Sequence, residues 1–409
     1  MLIRNTYYNS DDGQTSPEGP LATLRCRIET RRYNPRMFRK PESWPDWKIA
    51  IALTVGLRTF YSAIAAALSF FLHPDPLVIH SNALTENLSA PGSWHYALLG
   101  VWERFDTLWY LRIAQHGYDL PRAVVFYPLY PAAIRLVSVL LPPTVAALLI
   151  STVGAFFFFW GLLRLAGENL SSMARLRTLL IVSAWPSSFI MFAGYAESLT
   201  LALIVWSVVF ARASRWGLAT VLGLLAGLSR PSGVLVAIPL LVLAVRSRRI
   251  SAAVALLTPL GLLSYWGWLH ATGRLSVVEA YRIYQGLTMA PPWVSVRDVL
   301  RLIVTERQGL LAIKFGLVVL VAALSLRREL RIEDKLFAMA VILQMLMYTG
   351  LPLLGASRYL LLVYPAFLVM GRSSAQRWKW HRFGIYWAAF EFFNLVWMWG
   401  FLNWDIRCA

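Results

Sequence analysis

One block of this 409-residue sequence gathers side chains that could do chemistry: Trp102-Glu103-Arg104-Phe105-Asp106-Thr107-Leu108-Trp109-Tyr110-Leu111-Arg112-Ile113-Ala114-Gln115-His116-Gly117-Tyr118. Phe126-Tyr127-Pro128-Leu129-Tyr130-Pro131 follows closely. At about 100° per residue, Trp102, Phe105, Trp109 and Ile113 fall on one narrow stripe, the pattern of a helix lying in a membrane interface with its aromatics at headgroup depth. Asp106 lands on the edge of that stripe. A carboxylate held where aromatic surface meets water is partly desolvated and suited to accept a proton from a reacting hydroxyl.

The elements that must position this block are membrane helices. The chain is 58% hydrophobic and only 15% charged, with mean hydropathy +0.55, too apolar for an ordinary soluble domain. Its formal charge of +18 would suggest nucleic acid if the basic residues formed one face of a soluble fold. They sit instead between apolar stretches, which fits the positive-inside rule and anionic headgroups, so no nucleic-acid partner is expected. Cys26 and Cys408 lie near opposite ends and supply neither a disulfide framework nor a metal cluster.

Residues 1–46 read as a flexible, basic cytoplasmic tail without a cleaved signal sequence, and residues 47–409 as one transmembrane domain. The expected spans are Trp47–Leu72, Thr144–Ala166, Thr178–Gly194, Glu197–Phe210, Trp216–Leu228, Ser232–Val245, Ile250–His270, Leu310–Leu326, Leu336–Leu353, Tyr359–Met370 and Phe383–Phe401. That is an all-α polytopic membrane protein of about 11 helices. Arg175, Arg177, Arg212, Arg215, Arg246, Arg248, Arg249, Arg327, Arg328, Arg377 and Lys379 place their loops in the cytoplasm. Residues 73–143, the first external loop, then face the opposite side, together with 194–197, 229–233, the second large loop 271–309, and 353–358. Tyr130–Leu141 is short and carries Arg135, so it is expected in the interface plane as an amphipathic helix.

The motif block resembles the first external loop of PIG-V-like mannosyltransferases, in which an aromatic-Asp pair precedes a Tyr-x-x-Ile-Ala-x-x-Gly-Tyr element. Phe126–Pro131 is similar to that family's aromatic-Pro-Leu-Tyr-Pro element. Gly194-Tyr195-Ala196-Glu197-Ser198 is similar to its Tyr-x-Glu-Ser turn, and Ser229-Arg230-Pro231-Ser232-Gly233 to its Arg-Pro-x-Gly turn. Ser357-Arg358-Tyr359 with Tyr364-Pro365 matches a late element of related membrane glycosyltransferases. The resemblance runs over roughly residues 50–370 in motif order. Phe105 departs from the Trp usual in bacterial relatives, and Ala196 from a frequent Ser; neither change removes a reacting group.

The resemblance implies a GT-C type fold and an inverting transfer of sugar from a polyprenyl-phosphate donor to an acceptor hydroxyl outside the cytoplasm, at the plasma membrane. Mannose is the expected sugar, although spacing does not distinguish it from arabinose or glucose. The acceptor could be a glycolipid, a glycan or a protein. Displacement at an anomeric carbon needs one base and cationic groups for the departing phosphate. Asp106 is the expected base, and Arg230 and Arg358 the expected phosphate ligands, because guanidinium forks match phosphate oxygens. Trp102, Trp109, Tyr110, His116, Tyr127, Tyr195 and Glu197 are the expected substrate contacts. Neither an obligatory metal nor another cofactor is expected, and the need for a partner subunit stays open.

The plainer readings are specific. Asp106 could be a surface or capping carboxylate, Glu197 a helix cap, and Arg230 and Arg358 snorkelling arginines. His116 and Asp119 read as loop residues, Trp293 as an interfacial anchor or a sugar platform, and Asn87-Leu88-Ser89 as a weak glycosylation pattern. Arg58, inside the first span, needs a partner. A transporter or lipid flippase, or a catalytically silent scaffold, would also account for many apolar helices; a transporter would place its polar residues on broken helices at the midplane.

Overall fold

A computed structural model describes residues 45–72, 84 and 92–408. Residues 1–44 of the expected tail, Cys26 and the Asn87-Leu88-Ser89 pattern lie outside the described residues. The described chain is all-α, apart from one two-stranded antiparallel sheet.

Helix α1 spans Asp46–Ser69. Helices α2 (Trp94–Leu98), α3 (Asp106–His116) and α4 (Leu129–Val137) build the first loop. At nine residues, α4 is about 14 Å long, less than half the hydrocarbon thickness. Then come α5 (Pro143–Ala166), α6 (Ser172–Ser183), α7 (Glu197–Arg212), α8 (Trp216–Ser229), α9 (Ala237–Ser247) and α10 (Leu260–Ala271). The second loop folds into α11 (Val277–Gln285), strand β1 (Thr288–Met289) and α12 (Pro292–Glu306). The chain continues through α13 (Gly309–Ser325), α14 (Ile332–Leu346), strand β2 (Tyr348–Thr349), α15 (Ala356–Leu360), α16 (Tyr364–Arg377) and α17 (Trp380–Leu402).

Among the described residues, four stretches are long and apolar enough to cross a membrane: Asp46–Ser69, Pro143–Ala166, Ile250–Ala271 and Trp380–Leu402. Over its most apolar window α5 is 56% buried, against 22% for α1. Helix α5 is therefore the central post, while α1 turns Ile51 and Val55 outward, as a lipid-facing helix would. Small residues let α7 approach α5 closely. A Cβ on Gly154 would sit 2.7 Å from the Leu199 backbone nitrogen, and one on Gly161 would sit 2.7 Å from Val205 Cγ1.

The other apolar stretches are shorter or interrupted. The expected span Thr178–Gly194 breaks after Ser183, where Pro186 offers no N–H and Ser187 takes a positive φ of 75°. A 3-10 turn over Ser188–Phe192 follows, entirely buried. Such backbone persists at depth only when protein surrounds it, and here Ser187 Oγ bonds Ser357 Oγ at 2.6 Å while Trp185 Nε1 donates to the Ser357 carbonyl at 2.9 Å. Arg58 finds its partners at this break, donating to the Phe192 carbonyl at 2.6 Å and stacking 5.5 Å from the Trp102 ring. A second break between α8 and α9 holds Arg230, Pro231 and another 3-10 turn.

The end of α7 remote from Glu197 carries an ionic cluster. Arg212 donates to both oxygens of Asp334 at 2.8 and 2.7 Å and to Glu168 at 3.1 Å. Tyr364 donates to Asp334 at 2.9 Å, Arg331 pairs with Glu168 at 2.7 Å, and Arg246 pairs with Glu333 at 3.0 Å.

Candidate active site

Asp106 is the first residue of α3, and the chain reaches it through Phe105 at φ 47°. A non-glycine residue held there is strained, and the surroundings must enforce the conformation. Phe105 packs against Phe401 and Trp404, with ring centroids 5.7 and 5.5 Å apart. Thr107 Oγ1 donates to the Ala193 carbonyl at 2.8 Å, and the Asp106 N–H donates to Tyr195 Oη at 3.3 Å. The turn that meets them contains Gly194 at φ 72°, where a Cβ would stand 3.0 Å from Thr107 Cγ2. The Gly-Tyr-Ala-Glu-Ser turn is thereby fastened to the start of α3.

One arginine joins this carboxylate, and a second is reached through Glu197. Arg358 Nη1 donates to Asp106 Oδ2 at 2.8 Å, while Arg358 Nε lies 3.1 Å from Glu197 Oε1. The same Glu197 oxygen pairs with Arg230 Nη1. The result is an alternating chain, Asp106–Arg358–Glu197–Arg230, with no formal net charge. Its ends differ in exposure: the Asp106 side chain keeps 25% of its surface, whereas Arg230 keeps 9%. Arg230 Nε and Nη1 and both Glu197 oxygens lack hydrogen bonds of proper direction, so ion pairing alone holds the inner half.

Burial pulls both guanidinium groups down, and the neighbouring carboxylates, Glu197 foremost, overturn that effect and hold both above the usual arginine value. Arg230 and Arg358 therefore stay cationic. Arg230 also lies 5.2 Å from the Tyr359 ring centre, and Arg358 lies 5.3 Å from that of Tyr195.

Asp106, Arg230 and Arg358 line one cavity of about 820 Å³, counted out to its open mouth. Tyr110, Tyr127, Tyr281, Tyr348 and Tyr359 surround the charges, with Ser229 and Gln285. The remaining wall is apolar, made largely of Leu287, Met345, Leu351, Leu353 and Leu354. A cavity part charged and part greasy suits an amphiphilic small molecule. The α11 side and the 348–354 side are clasped by β1 and β2, in register Thr288↔Thr349 and Met289↔Tyr348, with the two threonine hydroxyls 2.7 Å apart.

Of the ten residues singled out from sequence, Asp106, Tyr110, Tyr127, Arg230 and Arg358 line the cavity. Glu197 and Tyr195 stand directly behind them, in contact with the charged groups rather than at the wall. Trp102 is buried beneath Arg58. Trp109 stacks on Phe126 at 5.4 Å with Arg122 over its face, which makes it a support for the cavity wall. His116 is exposed at the far end of α3. Asp119 pairs with Arg112 at 2.6 Å, which holds its carboxyl below the usual range, and Trp293 is 71% exposed, away from the cavity. Sequence reasoning passed over Tyr281, Tyr348 and the ring of Tyr359. Tyr359 adjoins Arg358 in its motif and could have been found there, whereas no local signal marks the other two.

Comparison with protein-family models, with curated proteins and with solved structures finds no match for this chain.

Proposed function

We propose that the chain is a GT-C type glycosyltransferase similar to the PIG-V-like mannosyltransferases, moving a sugar from a polyprenyl-phosphate donor to an acceptor hydroxyl with inversion. The observation that carries this reading is the convergence of Asp106 and Arg358, 252 residues apart in sequence, with Arg230 on one cavity. In this reading the acceptor oxygen attacks the anomeric carbon and its proton passes to the Asp106 carboxylate. The anomeric C–O bond breaks with its electron pair on the phosphate oxygen, beside Arg230 and Arg358. The apolar wall accommodates the start of the lipid chain. The shorter helices cross tilted or in pairs, giving about 11 spans with a cytoplasmic amino terminus and the cavity outside. Mannose is the sugar proposed, at the plasma membrane.

Transfer of labelled sugar from polyprenyl-phosphate mannose by purified protein in nanodiscs tests this. Product from wild type but not Asp106→Asn supports the reading. Undiminished transfer by the variant removes Asp106 as base, and no transfer across a panel of donor sugars removes the reading itself.

A second reading, a transporter or lipid flippase, is favoured by one observation: the chain breaks on both sides of the charged cluster, at residues 184–193 and 230–236, as discontinuous helices do around transported ions. Flux of polyprenyl-phosphate sugar across a sealed vesicle without product formation would select it.

A further inference from the structure

Arg358 stands between two carboxylates, and one of them is the group proposed as base. Its Nη1 is committed to Asp106 Oδ2 at 2.8 Å and its Nε faces Glu197 at 3.1 Å. A guanidinium beside a carboxylate makes it a weaker base, and this one holds one of the two Asp106 oxygens that could take the acceptor proton. The same guanidinium is a cation that a phosphate in the cavity would recruit. A phosphate that takes the Nη1 donor must draw it from Asp106 Oδ2.

We infer that Arg358 gates Asp106: a lipid phosphate entering the cavity draws the guanidinium away from the carboxylate, and only then is Asp106 free to act on an acceptor. The inference rests on the glycosyl-transfer reading and adds an order of events to it. Glu197 is the positioning residue of this exchange. Its carboxylate is 3% exposed and pairs with both arginines, so Arg358 can release Asp106 while remaining tethered. Arg230, which lines the cavity and pairs with Glu197 rather than with Asp106, can meet the phosphate without uncovering the base. In the transfer that follows, the acceptor O–H proton ends on Asp106, the new glycosidic bond replaces the anomeric C–O bond, and the leaving phosphate keeps that bond's electrons beside Arg358. When the lipid phosphate departs, Arg358 returns to the carboxylate and helps it shed the proton.

The gate makes a prediction opposite to ordinary expectation for a damaged site. Asp106→Asn keeps the shape of the side chain but cannot hold the cation, so the variant should bind polyprenyl monophosphate about ten-fold more tightly than wild type, the worth of one charge-assisted hydrogen bond released from competition. The measurement is equilibrium binding of polyprenyl monophosphate to full-length protein in nanodiscs, for wild type, Asp106→Asn, Arg358→Gln and the double variant. The gain should vanish in the Arg358→Gln background, a coupling that a merely structural Asp106 would not produce. If Arg358→Gln does not fold, Arg358→Lys, which keeps the charge and loses the fork, should show a reduced gain. Equal or weaker binding by Asp106→Asn, with wild type binding well, overturns the gate and leaves the transferase reading standing. Absence of binding to every variant overturns both.

Discussion

Helix α7 carries an ionic cluster at each end, Glu197 at one and Arg212 at the other, about 23 Å apart along the helix. The two are built from the same residue types and are finished differently. At the Arg212 end, Asp334 receives the guanidinium on both oxygens and a tyrosine hydroxyl besides. At the Glu197 end, Arg230 has ion pairing without directed hydrogen bonds, and Asp106 and Arg358 border open space. The Arg212 cluster also has buried atoms without hydrogen bonds, Arg212 Nε and Glu168 Oε1. Its central pair is nonetheless bidentate and directed and fastens helices together, while the pairs at the Glu197 end are less directed and flank the larger cavity, where a charged ligand can compete for them. On the proposed reading, the difference separates a structural use of charge from a chemical one within a single helix.

The comparison can be broken most decisively through Asp106. Asp106→Asn should lower the turnover of sugar transfer at least 10³-fold, with the melting temperature in detergent close to wild type. A comparable loss of folded protein would place Asp106 with the structural cluster instead. Asp334→Ala should do the reverse, because it removes the two-oxygen partner of the buried Arg212 and leaves it Glu168 alone at hydrogen-bond distance, at a cost of about 2–3 kcal/mol in stability. Turnover per folded molecule should stay within two-fold of wild type. Denaturant unfolding beside an active-site titration distinguishes these outcomes, and a selective loss of turnover in Asp334→Ala would erase the contrast.

Smaller effects sharpen it. Tyr359→Leu removes the ring under Arg230 and Arg358 and should raise the donor KM by about three- to ten-fold, the value of a desolvated cation–π contact. His116→Ala should change neither rate nor stability by more than roughly 0.5 kcal/mol equivalent. A large effect there would mean that the cavity described here is not the whole site.

The sequence made the charged groups legible because each sits in a compact motif: Asp106 beside aromatic residues, Arg230 before a proline, and Arg358 before a tyrosine. It also indicated the all-α character, since hydropathy accumulates over long windows. The interruptions were harder to see. Averaging over Thr178–Gly194 hides the single Pro186, yet that proline and Ser187 turn a presumed span into the buried brace that holds Ser357 and thus Arg358. Tyr281 and Tyr348 escaped for another reason, as neither has a motif and their place at the wall depends on β1 finding β2 across 61 residues. Trp102 and Trp109 were expected to touch substrate, but aromatic residues satisfy an interior as readily as a ligand, and these two pack against the protein.

The β1–β2 clasp sets a tempo. Two residues per strand make a ladder too short to be stable without its packing, and it is the seam between the second loop and the 348–354 segment. Hairpin-scale contacts make and break in roughly 1–10 μs. Opening of this seam would give the cavity a side entrance on a time scale far shorter than a turnover of about 1–10³ per second.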